Sequence, residues 1–206
     1  MKRQWAKLLL CTSLLTTRAA AQDAPLYRTD ATKSKLEIAV SRAGAFKFFG
    51  HDHQVAVQGL SGVVRLNPAS MENSSVRLKV EAKSLRVLDP RSSEKERREI
   101  QSTMEGEKVL NAAKFPEITF SSESISGLRK TASGYELVLT GALNLHGMTR
   151  TIRVPLSVEL KDNALRARGQ TSLLQTDYGI TPVRVAGGTI QVKDRLKLTF
   201  DIVAVK

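Results

Sequence analysis

The sequence predicts an all-β fold: an antiparallel eight-stranded barrel with one inserted α-helix at about 93–105. Three observations carry this. Apolar and polar residues alternate with a period of two through most of the chain after residue 33, the pattern of strands with one buried face. Short polar turns join these runs, so successive runs pair as hairpins. A helical start signal stands out at one place. A sandwich would bury the same faces; runs of roughly ten residues in near-sequential hairpins favour closure.

The elements follow in chain order. Residues 1–21 read as a signal peptide: Lys2, Arg3 and Lys7, an apolar run from Leu8 to Leu15, and Ala19-Ala20-Ala21 before Gln22. The run is too short to span a bilayer as a permanent helix. Cleavage there would remove Cys11, the one cysteine, and leave a periplasmic chain, residues 22–206, with neither disulfide nor thiol chemistry. That length fits one domain. Residues 22–33 are an irregular lead-in with Tyr27 on a short strand. Ser34–Arg42 alternates through Leu36, Ile38 and Val40. Gln54–Gly59 and Gly62–Asn67 follow. Ser75–Leu85 places Val76, Leu78, Val80 and Ala82 inward against Arg77, Lys79, Glu81 and Lys83.

Ser93-Glu94-Lys95-Glu96 is a capping box, in which the serine and the glutamate satisfy the first backbone N–H groups of a helix. That helix runs to about Glu105, before Gly106, with a second helical turn over Glu107–Ala112. Its apolar stripe, Ile100 and Met104, suits a helix on the surface or across an opening. Glu117–Ile125, Tyr135–Leu145, Thr149–Leu160, Asn163–Leu174 and Ile190–Val205 complete the strands, with turns at His146-Gly147 and Val185-Ala186-Gly187-Gly188.

The formal charge is +12. Lys2, Arg3, Lys7 and Arg18 lie in 1–21, which has no acidic residue, so a chain starting at residue 22 carries +8. Its cations alternate with apolar residues along strands, the pattern of a solvated outer face that a weak anionic membrane attraction suits. Aromatics make up 5% of the chain, too few for the base-stacking surface that single-stranded nucleic acid needs, and no nucleic-acid partner is expected.

The histidines are His51, His53 and His146, in Gly50-His51-Asp52-His53 and Leu145-His146-Gly147. Residues two apart on a strand share a face, which pairs His51 with His53 and turns Asp52 away. Three readings stand. The histidines are locally hydrogen-bonded turn and strand-end residues, or they form a barrel mouth donating to a head group. Otherwise they are the three ligands of zinc or another divalent metal. There is no Ser-His-Asp order, mature cysteine or phosphate-binding glycine loop, so an enzyme is not expected.

Taken together, Gly50-His51-Asp52-His53, the stretch from Asn111 through Phe115-Pro116-Glu117-Ile118-Thr119-Phe120 to Ser122, the run from Gly141 through Leu145-His146-Gly147-Met148-Thr149 to Arg150, and Thr176-Asp177-Tyr178-Gly179-Ile180 resemble the YceI family of exported bacterial lipid-binding proteins. The resemblance covers about 30–205 and is to the branch with the Gly-His-Asp-His motif. It implies a lipocalin-like barrel whose apolar pore holds a polyisoprenoid, a polyprenyl phosphate or a quinone, with no cofactor required. Val80, Phe120, Leu137, Leu139, Leu143, Val154, Leu156 and Phe200 would then line the pore, with His51, His53 and His146 as its polar contacts; as an ordinary core these apolar residues would simply fill the interior. An amphiphilic lipid is the expected partner, with a homodimer left open.

Overall fold

The structure, a computed structural model, describes residues 24–43, 52–185 and 190–206. Residues 1–21, read above as a signal peptide, His51 and the expected turn at Ala186-Gly187-Gly188 lie outside the described residues. The strands are β1 (Leu26–Thr29), β2 (Lys35–Ala43), β3 (His53–Val57), β4 (Leu60–Arg65), β5 (Ser75–Glu81), β6 (Leu85–Val87), β7 (Glu117–Lys130), β8 (Gly134–Leu145), β9 (Met148–Lys161), β10 (Ala164–Leu174), β11 (Arg184–Val185) and β12 (Ile190–Val205), with α1 (Glu94–Glu105) between β6 and β7.

The pairings make these strands eight staves of one antiparallel barrel. Three staves are composite: β1 with β2, β3 with β4, and β5 with β6. The remaining five are β7, β8, β9, β10 and β12, each beside the next, except that β11 joins β12 on its own. The barrel closes where β12 pairs with both β1 and β2, Arg28 opposite Val205 and Phe200 opposite Leu36. Chain order equals spatial order, as expected for an up-and-down barrel.

The alternation sets the register. On β8, Leu137, Leu139, Leu143 and Leu145 are buried and their partners on β9 include Leu156, Val154 and Met148. The β8–β9 hairpin turns on His146 and Gly147, with φ of 52° and 74°. Both residues are left-handed, as a two-residue turn matching the strand twist requires, and glycine adopts that conformation at least cost.

Three local expectations change. Ser75–Leu85 is not one strand: a 3₁₀ turn at Ala82–Ser84 separates β5 from β6, and its neighbour stave breaks at the same level, where the Gln58 N–H donates to the Ser84 carbonyl at 3.2 Å. The seventh strand continues past Ile125 to Lys130, because irregularities at Ser122–Ser124 and Ser126–Arg129 absorb a break in the alternation. Residues Glu107–Ala112 form hydrogen-bonded turns and not a helix, with Asn111 at φ 44°. The capping box is present: the Glu96 N–H donates to Ser93 Oγ, and the Ser93 N–H to the Glu96 carboxylate.

Two apolar clusters fill the ends. Tyr27, Val64, Leu66, Met71, Leu165 and Ala204 pack across one end. Leu85, Val87, Leu110, Leu145, Leu173 and Ile180 pack at the other, beneath α1. Burying such side chains contributes about 1.5–3 kcal/mol each.

Candidate functional site

Between the clusters runs a cavity of about 590 Å³. The pore-lining set read from the sequence, Val80, Phe120, Leu137, Leu139, Leu143, Val154, Leu156 and Phe200, all faces it. Gly169 sits opposite Phe200 on β12, and a Cβ at Gly169 would lie 2.7 Å from the Phe200 ring. The bare glycine lets that ring lie flat on the wall and leaves the lumen open.

Charge enters at one end only. The ionisable residues lining the cavity are Arg42, His53 and Glu99, all at the α1 end. Glu99 and Thr103, on α1, are the lining residues that are also exposed, which places the entrance along this helix. Ile100 and Met104 face inward from the same helix. Gln101 ties it down: its Oε1 accepts the Val87 N–H at 2.9 Å and its Nε2 donates to the Leu85 carbonyl at 2.7 Å. The amide pairs with β6 as a neighbouring strand would.

His53 lines the cavity on β3, and its Nδ1 lies 2.5 Å from Asp89 Oδ2. Asp89 has a fully buried side chain and also accepts the Gln54 N–H at 2.7 Å. Asp52 faces outward, accepting from the Ser41 hydroxyl and the Arg42 N–H.

His146 is elsewhere. It sits on the β8–β9 turn, three staves from His53, and is not part of the cavity wall. Its Nδ1–H donates to the Tyr178 carbonyl at 3.1 Å, and the ring meets Phe115 edge-on at 4.9 Å. Tyr178 is buried, and that burial pushes its phenol above the ordinary value. Among the described residues, no group of three His, Cys, Asp or Glu side chains could hold a metal ion.

A barrel of eight antiparallel staves around an apolar pore fits the resemblance set out above, and a family model for the YceI-like domain matches residues 27–204. The chain belongs to the YceI-like domain family. No curated protein gives a significant match. Among solved structures, BcnA of Burkholderia cenocepacia superposes with a TM-score of 0.66 at 19% identity, over 86% of this chain and 99% of that one. A polyisoprenoid binding domain from Saccharophagus degradans, implicated in plant cell wall breakdown, gives 0.61 at 16% identity, over 87% and 97%. The YceI protein of Campylobacter jejuni gives 0.57 at 14% identity, over 74% and 84%. At these identities the likeness is one of fold.

In this YceI-like barrel the sequence reading passed over Arg42, Asp89, Glu99, Thr103 and Gln175. A signal for two of them was in the alternation. Arg42 continues the inward phase of Leu36, Ile38 and Val40, and Gln175 that of Thr171 and Leu173. A polar residue at the next inward position marks where a strand reaches the mouth. Asp89 had no such signal, since it follows β6 in a loop.

Proposed function

We propose that the protein is a non-enzymatic, exported carrier that holds the apolar chain of an amphiphilic lipid, of the polyisoprenoid class, in its barrel pore. The observation that carries this reading is the cavity itself: an apolar lumen with its ionisable residues gathered at one end. A cavity of this size lies within the roughly 300–1,000 Å³ range of ligand sites. Each 100 Å² of prenyl surface moved out of water contributes about 2.5 kcal/mol. Binding of this kind needs no catalytic group and no cofactor. Membership of the YceI-like family and the fold shared with a polyisoprenoid binding domain support the ligand class.

The tail runs towards Met71 and Leu66, and the head group stays by Arg42, His53 and Glu99. The reading of residues 1–21 as a signal peptide supports a periplasmic location. A metal role is the weaker reading, because His53 and His146 face different neighbours on separated staves.

Native mass spectrometry with lipid extraction and elemental analysis tests the proposal, using protein purified from the periplasm of its own cells. A bound lipid with a repeating five-carbon chain supports it. Protein that carries metal and no lipid overturns it. Fusing residues 1–30 to alkaline phosphatase, which is active only outside the cytoplasm, tests export.

A further inference from the structure

The outer wall of the barrel is charged unevenly. Towards the end of β9, β10 and β12 remote from α1, each arginine has an acid: Arg166 pairs with Asp201, and Arg168 with both Asp201 and Glu159. Towards the α1 end of the same three strands Asp194 is the one acid. Arg153, Lys193, Arg195 and Lys197 are all exposed there, and among the described residues none has a carboxylate within ion-pair distance.

Three of these cations are contiguous around Ser172. Lys197 lies directly across from Ser172, and Arg195 Nη1 donates to Ser172 Oγ at 2.8 Å. Arg153 is brought alongside by the Thr171 hydroxyl, which donates to the Arg153 carbonyl at 3.2 Å. The carboxylates nearby are Asp194 and Asp177. Asp194 is taken up by the Thr176 hydroxyl and N–H, at 2.7 and 2.9 Å. Four cations therefore face two acids on one side of the barrel, at the end where the pore opens.

We propose that this basic face docks the barrel on an anionic lipid surface, bringing the pore entrance beside the bilayer from which an amphiphile is taken or to which it is delivered. The inference rests on the carrier reading for its purpose and on charge for its geometry. A lysine or arginine near an anionic membrane is worth about fivefold in partition, and the attraction fades within a Debye length of about 8 Å at physiological salt. Only a set of cations on one face, close to the surface together, gives useful binding.

Sedimentation with vesicles tests the proposal. The full mature chain should bind vesicles of phosphatidylglycerol and phosphatidylcholine in equal parts, not phosphatidylcholine alone, and should be released by high salt. Arg153→Glu, Arg195→Glu and Lys197→Glu together should weaken binding by about a hundredfold. Reversal of Arg28, Arg65 and Arg77 on β1, β4 and β5, also exposed, should change it by less than about threefold. Glutamine in place of glutamate at the three patch positions gives a milder version should the reversed variant fold poorly.

Geranylgeraniol binding, followed in parallel, separates the two readings: it should persist in every variant. If the unaltered chain ignores anionic vesicles, or the β1–β4–β5 reversal weakens binding as much as the patch reversal, the docking face is wrong whether or not the pore binds. If geranylgeraniol does not bind at all, the carrier reading fails, and vesicle binding that remains loses its purpose.

Discussion

Asp89 and His53, 36 residues apart in sequence, meet at 2.5 Å beside the pore entrance, the carboxylate fully buried and the imidazole facing the lumen. Asp89 also accepts the Gln54 N–H, so one side chain fixes both the start of β3 and the ring that opens from it. Buried carboxylates are tolerated only when their hydrogen bonds are made.

Removing that acceptor should be costly. Asp89→Ala leaves the Gln54 N–H and the His53 ring without it, and a loss of about 2–4 kcal/mol in urea unfolding is expected. Asp89→Asn retains an acceptor and should lose less. Equal losses would mean that the packing of Asp89 matters and its hydrogen bonds do not.

Gly147 should resist any side chain. It has φ 74°, and a Cβ there would lie 2.4 Å from the Phe115 ring, so Gly147→Ala combines backbone strain with a clash. A destabilisation of about 1–3 kcal/mol is expected, read as a lowered melting temperature. His146→Gln retains a donor for the Tyr178 carbonyl and should cost less than Gly147→Ala.

The Gln101 amide is the polar tie between α1 and the open edge of β6. Gln101→Ala exposes both backbone groups and should cost about 1 kcal/mol. Release of a preloaded pore ligand should quicken, since α1 has no fully buried residue and otherwise rests on the half-buried Ile100 and Met104. Stopped-flow displacement of a fluorescent prenyl probe measures this; an unchanged off-rate would mean that exit avoids α1.

Acid should destabilise the barrel below the ordinary carboxylate range. The Thr32 hydroxyl leads the groups that hold Asp30 down at about 2, against 3.8 when unperturbed, and the Arg166 guanidinium lowers Asp201. The Thr176 hydroxyl lowers Asp194. A depressed carboxylate stabilises the fold above its unfolded value, and that contribution is lost as pH falls through the folded one. The melting temperature should therefore hold from neutrality to about pH 5 and decline from there towards pH 2. Asp201→Asn should flatten part of the decline; a variant with an unchanged acid profile would remove Asp201 from the account.

How far the sequence was legible depended on the range of each interaction. Alternation is local, so Ile190–Val205 and the inward faces of β8 and β9 could be read residue by residue, as could the helix start at Ser93, whose partner Glu96 is three residues away. The break at Ala82–Ser84 was hidden because Ala82 stays in the inward phase while the backbone leaves the ladder. The entrance was the least legible part. Asp89 reaches His53 only after β6 pairs with β3, and the shared composition of the two histidine motifs gave no sign that His53 and His146 stand on separate staves.

Titration of residues 22–206 with geranylgeraniol, followed by native mass spectrometry, addresses the central claim most directly when run beside Leu156→Trp. Leu156 faces the lumen and is half-buried, so the larger ring fills space that the ligand would occupy. The account predicts one geranylgeraniol per chain in the unaltered protein and none in Leu156→Trp, with both proteins folded by circular dichroism. Binding that survives the filled pore, or no binding to the open one, would contradict it.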